Sequence, residues 1–246
     1  MAAIAYHHIT HRYETTAVLS DISFEVRKDE ILVIIGRSGG GKSTLLQMIN
    51  GLIVPGKGYI EVFGKRIDYR EIRNLRLEIG YAVQGAGLFP HMNVRDNISL
   101  LARIQGEGPD EMNSRIGMLM RFVDLDPVYL DKYPHQLSGG EQQRVGICRA
   151  MMMNPKIFLL DEPFAALDPA TKSEIHHELL TLQKAEPRTI VMVTHDLTEA
   201  LKLADRILIL ESGVVQQLGT PENIMNYPAN EFVAGFIGEQ TGHHDA

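Results

Sequence analysis

The sequence predicts an α/β protein with a mostly parallel sheet core, an antiparallel β portion at the N-terminus and an inserted helical subdomain. Three observations predict it. Short β-branched and aliphatic runs recur, and Ile31–Ile35, Ile157–Leu160 and Ile190–Val193 are apolar throughout, as strands covered on both faces are. A helical pattern follows each of the three, near 42–51, 168–184 and 196–204, and such alternation implies parallel neighbours with helices on both faces. Residues 85–152, in contrast, hold no convincing strand run.

Taken in order, the runs at 4–10 and Ile22–Val26 have no helix between them, which predicts an antiparallel pair. Ile31–Ile35 leads into a glycine-rich stretch and then a helix. Tyr59–Val62 and Ile79–Val83 read as further strands. Residues 85–152 read as a loop followed by helices near 93–105, 110–123 and 139–153. Ile207–Leu210 is the last expected strand, and the polar tail from Gly238, GEQTGHHDA, is expected to fray. With no internal repeat, low-complexity tract or linker, 1–246 reads as one domain. Its α/β core spans 1–84 and 153–246, and its helical subdomain spans 85–152.

The chain has 246 residues, 44% of them apolar, and a formal charge of −7. That balance argues against a nucleic-acid-binding surface, so no nucleic-acid partner is expected. One cysteine, Cys148, allows no internal disulfide and suits a reducing compartment. The start MAAIAYHHIT lacks a basic segment ahead of a long apolar one, so no signal peptide is expected. The apolar runs are too short to span a bilayer. The chain is therefore expected to be soluble in isolation and to reach a membrane only through a partner.

Gly36-Arg37-Ser38-Gly39-Gly40-Gly41-Lys42-Ser43 fits G-x-x-x-x-G-K-[ST] and lies between a buried strand and a helix, the setting this motif requires. The glycines, with Thr44 just beyond, let backbone N–H groups close on phosphate oxygens, and the helix directs its positive end at them. Lys42 is expected to neutralise the β- and γ-phosphates, and the Ser43 hydroxyl to ligate Mg²⁺. Asp161 and Glu162 follow the strand at Ile157, at the sheet edge where open parallel sheets bind ligands. Asp161 suits a magnesium ligand and Glu162 a residue that polarises the attacking water; alone, the pair equally fits an acidic turn. His195 and Gln84 also stand at strand ends. His195 suits the γ-phosphate or the water, or else a structural position under a loop. Gln84 can contact Mg²⁺ or the water without adding charge.

Leu137–Arg144, LSGGEQQR, raises a separate question. Ser138 and Glu141 have the spacing of a capping box, and Val145, Cys148 and Met152 recur at helical spacing. A capped helix does not explain Gly139 and Gly140 in its first turn, where glycine weakens it. Their presence suits close approach of something to the backbone.

The ordered set GRSGGGKST, the glutamine after YAV, LSGGEQQR, IFLLDEP, AALD and the histidine of VTHD resembles the ATP-binding subunit of ATP-binding-cassette (ABC) transporters, over nearly the whole chain. The resemblance implies a P-loop NTPase (RecA-like) core, ATP and Mg²⁺ as cofactors, and ATP hydrolysis. It implies that Tyr13 stacks on adenine. It also implies a homodimer, or a pair of ATPase subunits, sandwiching two nucleotides. Ser138, Gly139 and Gly140 would contact the γ-phosphate held by the opposing subunit, and Asp168 would lie at the dimer interface. AALD stands here for the commoner SALD, with the aspartate kept.

IGYAVQGAGLFPHMNVRDNI and GTPENIMNYPANEFVAGFIG look most like importer ATPases, closest to those for glycine betaine, choline and related osmoprotectants. This implies transmembrane permease subunits and, indirectly, a solute-binding protein, with the chain peripheral on the cytoplasmic face of the membrane. Many osmoprotectant members continue into a regulatory module, and none is expected within these 246 residues. ATPases of exporters, lipid-trafficking complexes and amino-acid importers remain alternatives. A soluble class acting in translation or DNA repair typically carries two cassettes or a long coiled coil, and neither is visible.

Other residues have plainer readings. His7 and His11 would lie about 13 Å apart on a strand, too far to share an ion. His176–His177 and His243–His244 read as surface pairs, and Met151–Met153 as core filling. Phe89, Pro90 and His91 suit a groove for a transporter's coupling helix, and suit a buried loop equally.

Overall fold

Alternating apolar residues open the chain as two long strands. In the computed structural model, which describes residues 1–242, β1 (Ala2–Tyr13) and β2 (Thr16–Arg27) form an antiparallel hairpin. The continuous apolar run β3 (Ile31–Ile35) is buried along its whole length and leads through the glycine loop into α1 (Lys42–Ile49). β4 (Lys57–Val62) and the short β5 (Lys65–Arg66) follow, then α2 (Arg73–Leu77) and β6 (Ile79–Ala82). Helices α3 (Val94–Gln105), α4 (Pro109–Phe122) and α5 (Gly139–Met151) come next, and no strand occurs between them. β7 (Ile157–Asp161), α6 (Pro169–Ala185), β8 (Thr189–Val193), α7 (Leu197–Leu203) and β9 (Arg206–Glu211) restore the alternation. β10 (Val214–Gly219), α8 (Pro221–Asn226) and α9 (Glu231–Thr241) complete the described chain.

Two compact units result: Met1–Asn74 together with the chain from Thr189 onward, and Leu75–Arg188. In the first unit β1 and β2 pair antiparallel, as the missing helix between the first two runs predicts, and β4 and β5 extend the antiparallel sheet. β3 lies parallel between β8 and β9, with β10 antiparallel beside β9. The buried Tyr6 ties the hairpin to α1: its hydroxyl donates to the Leu45 carbonyl at 3.0 Å and its ring stacks on Phe24 at 4.3 Å. Burial pushes that hydroxyl's pKa well above its ordinary value, so it remains a donor. A second tie is ionic. Glu30 accepts from Arg206 Nε at 3.1 Å and from the Arg27 N–H at 2.6 Å, giving a nearly buried charge its partners.

In the second unit β6 and β7 pair in parallel, and α5 approaches β6 so closely that a Cβ on Gly80 would lie 2.2 Å from the Ala150 carbonyl oxygen. The buried Asn97 pins the loop before α3, accepting from the Phe89 N–H at 2.8 Å and donating to the Met92 and Asn93 carbonyls at 3.0 Å. Among the described residues no helix is long and apolar enough to cross a membrane.

Several expectations change. β1 extends well beyond 4–10, with register shifts and His8 at φ 51° letting it bend. β10, α8 and α9 lie beyond Ile207–Leu210, the last strand expected. The tail from Gly238 does not simply fray: α9 runs to Thr241, because Asn230 caps it at the Val233 N–H (2.9 Å) and Val233, Phe236 and Ile237 bury one face. His243 and His244 lie outside the described residues. His176 is not a surface residue. It is 3% exposed and meets the Phe164 ring edge-on at 4.7 Å, since its position in α6 falls on the face carrying Ile175 and Leu179.

Candidate nucleotide-binding site

The cradle belongs to the first unit, and its glycines are dictated by packing as well as by conformation. Gly36 leaves β3 at φ 151°, and a Cβ there would lie 1.9 Å from the Leu210 carbonyl oxygen. Gly41, at φ 96°, caps α1, and its Cβ would meet Leu19 Cδ2 at 2.8 Å and the Val18 carbonyl oxygen at 3.0 Å. Gly39, at φ 79°, has open space around it and needs glycine only for its backbone. Gly40 sits against the Arg37 carbonyl oxygen, 3.1 Å from an added Cβ. Lys42 is 6% exposed, and its ammonium donates to the Gly36 and Arg37 carbonyls at 2.8 and 2.9 Å. The start of α1 carries no side-chain cap and no acidic residue in its first turn, and a helix start of this kind favours an anion. Ser38 is exposed, Ser43 half-buried and Thr44 buried. Loop shape and a buried cation together fit an anionic phosphate chain.

Arg37 turns elsewhere. Its guanidinium donates to both Glu239 oxygens at 3.0 and 3.1 Å and lies 5.5 Å from the Phe232 ring centroid, so α9 holds it. Register places His195 near the cradle's edge of the sheet: Ile34 pairs with Val193, so Gly36 and His195 each lie two residues beyond paired strand ends. His195 is exposed, which removes the reading of a histidine packed under a loop. Tyr13, at the hairpin tip, is 48% exposed and meets His11 edge-on at 4.8 Å.

In the second unit Ala82 pairs with Leu160, so Gln84 and Glu162 also lie two residues past paired strand ends. They meet: Gln84 Nε2 donates to Glu162 Oε2 at 3.3 Å. Asp161 is buried, with the Tyr81 hydroxyl 3.5 Å from its Oδ2. Glu162 has φ 47°, unusual for a residue with a side chain. One residue escaped the sequence reading. Gln143 is 4% exposed; its Nε2 donates to the Glu162 carbonyl at 2.6 Å and its Oε1 accepts from the Ala166 N–H at 3.0 Å. Its position three residues after Gly140 put it on that glycine's face of α5, a signal that the buried apolar spacing obscured.

Ser138 and Glu141 form the expected capping box, at 2.6 Å from the Ser138 N–H to the Glu141 carboxylate and 3.3 Å in return. A Cβ on Gly140 would lie 3.0 Å from the Ala166 carbonyl oxygen, so this glycine has a reason inside the chain. Gly139 has ordinary room and, like Ser138, is exposed. Asp168 caps α6, accepting from the Ala170 and Thr171 N–H groups at 3.1 Å.

The remaining candidates have local partners. His7 stacks on Tyr59 at 4.5 Å, with Nε2 3.6 Å from a Glu61 oxygen. Met151 and Met152 are buried. Phe89, Pro90 and His91 are exposed, which excludes the buried-loop alternative, and the Arg149 guanidinium lies 5.8 Å from the Phe89 ring centroid. Cys148 is buried, and burial pushes its thiol pKa up.

Known proteins resemble this chain over most of its length. The ABC transporter family profile matches residues 19–165. The chain is 46% identical over 222 residues to the glycine betaine/carnitine/choline transport ATP-binding protein OpuCA of Bacillus subtilis, covering 90% of this chain and 58% of that relative. It is 40% identical over 235 residues to the glycine betaine uptake system ATP-binding protein YehX of Escherichia coli, covering 96% and 76%. A dimeric post-hydrolysis state of an ATP-binding cassette bound to ADP and Pi superposes with a TM-score of 0.84 at 30% identity, over 89% of this chain and 98% of that one. The chain thus spans about three-fifths of the length of the OpuCA relative. On the matched profile and the identity to these relatives, it belongs to the ABC transporter family.

Proposed function

We propose that this chain is an ATP-hydrolysing subunit of an importer, pairing with a second copy around two ATP molecules to drive uptake of a quaternary amine such as glycine betaine or choline. The observation that carries the reading is the Gly36–Thr44 loop, where packing forbids side chains at Gly36 and Gly41 and the buried Lys42 ammonium is held on loop carbonyls. An incoming phosphate chain offers that ammonium charged oxygens in place of the neutral carbonyls. The relatives at 46% and 40% identity serve glycine betaine/carnitine/choline transport and glycine betaine uptake, which supports the solute class.

Each side chain then has a task. Lys42 and the loop N–H groups hold the phosphates, and Tyr13 offers an exposed ring to the base. The oxygens of Ser43, Gln84 and Asp161 are hard donors of the kind that suit Mg²⁺, which when bound would neutralise charge on the transferring phosphoryl group. Glu162 orients the water, with Gln84 beside it, and His195 contacts the γ-phosphate. Ser138, Gly139 and Gly140 serve the nucleotide held by the second copy, and Asp168 stands at the shared interface. Residues 85–152 act as the helical subdomain that meets the permease. The chain then lies peripherally on the cytoplasmic face of the membrane, and a solute-binding protein delivers the solute to the permease.

One variant tests this. Glu162→Gln is expected to bind ATP normally, accumulate as an ATP-bound dimer, and lose turnover by about 100-fold or more. In a strain lacking the chain, the wild type should restore uptake of labelled glycine betaine or choline and Glu162→Gln should not. Near-normal hydrolysis by the variant would remove Glu162 from its role; active hydrolysis without uptake of either amine would reject the solute class.

A further inference from the structure

Glu162 sits where a strand must end and a loop must begin, with its backbone in the left-handed region at φ 47°. A residue with a Cβ keeps that conformation only when its surroundings fix it. The Ala165 N–H reaches the Glu162 carbonyl only at 3.4 Å, and the shorter contact comes from a side chain. Gln143 spans the loop with both ends of its amide, donating to the Glu162 carbonyl at 2.6 Å and accepting from the Ala166 N–H at 3.0 Å. At 4% exposure these bonds are shielded from water, and a planar amide bonded at both ends cannot rotate without losing them.

We infer that Gln143 is the positioning residue for Glu162, fixing the backbone from which the carboxylate reaches the water; this rests on the role proposed above for Glu162. The same amide couples two parts of the molecule. Gln143 lies in the second turn of α5, the helix that begins at Ser138, and the first turn of that helix abuts the same loop, where an added Cβ on Gly140 would lie 3.0 Å from the Ala166 carbonyl oxygen. The start of α5 and the Glu162–Ala166 loop therefore form one rigid piece. A phosphate meeting Ser138 and Gly139 from a second copy acts on the helix that holds Glu162 in its own subunit. Neither an apolar side chain nor a carboxylate can replace the amide, since each lacks the N–H that the Glu162 carbonyl accepts.

Steady-state ATP hydrolysis and binding of a fluorescent ATP analogue by Gln143→Met, Gln143→Glu, Glu162→Gln and the Gln143→Met/Glu162→Gln pair test this, with single-turnover assays for the slow variants. Gln143→Met should lower kcat by about 10- to 100-fold, the scale of a misplaced catalytic group, with KM and ATP affinity within about twofold of wild type. Gln143→Glu should lose at least as much. Because Gln143 acts through Glu162, the double variant should be no slower than Glu162→Gln alone. A kcat for Gln143→Met or Gln143→Glu within twofold of wild type overturns the inference. So do multiplied losses in the double variant, or loss of ATP binding by both Gln143 variants, which would make the residue a general support of the fold. Near-normal turnover by Glu162→Gln instead overturns the role of Glu162, a separate failure.

Discussion

Gly36 and Gly39 occupy the same glycine-rich loop for different reasons, and substitution can separate them. At Gly36 a methyl group collides with the Leu210 carbonyl oxygen, and the backbone is held at φ 151°; at Gly39 the space is open and only φ 79° disfavours a side chain. Gly36→Ala should cost about 3 kcal/mol, combining overpacking with backbone strain, and lower the nucleotide-free melting midpoint by about 6–12 °C. Gly39→Ala should cost about 1 kcal/mol. Equal midpoints for the two variants would mean that the loop is not wedged against the end of β9. The motif's spacing showed in the sequence that glycines were needed. It did not show which were needed for the neighbouring strand, because Leu210 lies far along the chain.

At the scale of elements, two helices of the second unit begin on carboxylates whose pKa values lie below their ordinary range. The Tyr129 hydroxyl, followed by hydrogen bonds from Ser138, lowers Glu141 at the start of α5; the Thr171 hydroxyl and then its N–H lower Asp168 at the start of α6. A depressed carboxylate contributes stability that is fully present above its unfolded value, near about 4, and is lost as pH falls through the folded value. Thermal midpoints should therefore fall as pH drops below about 4.5, and less steeply in Glu141→Gln and Asp168→Asn, where the caps no longer titrate. Identical acid limbs in wild type and variants would show that the caps do not contribute. The capping box was legible in S-G-G-E because its partners are three residues apart. The Tyr129 contribution was not, since it reaches α5 from a separate turn. Likewise α9 was hidden by its glycines and polar tail, and only the docking of Val233, Phe236 and Ile237 reveals it.

For the whole molecule, the proposed pairing makes a claim about stoichiometry. Each copy offers one cradle and one LSGGEQQR start, and a two-fold dimer would join the cradle of one copy to the helix start of the other. Ser138→Arg and Lys42→Ala should each abolish hydrolysis in pure form. Mixed, they should form heterodimers in which one site carries both lesions and the other none, recovering about a quarter of wild-type activity under random two-fold pairing. Mixtures that remain inactive although cross-linking shows heterodimers would count against shared sites. The dimeric cassette at 30% identity motivates the experiment.

The sequence by itself determined the alternation of buried strands and helices, the glycine-rich loop between β3 and α1, and the strand-end positions of Gln84, Asp161, Glu162 and His195, because periodicity and motif spacing are local. Only the tertiary structure decided that Gln84 meets Glu162, that Arg37 turns to α9, that His176 is buried, and that Gly140 and Gln143 brace the loop after Glu162. Those contacts join residues distant in sequence, and their chemistry appears only when packing removes water and leaves each polar group to its partner.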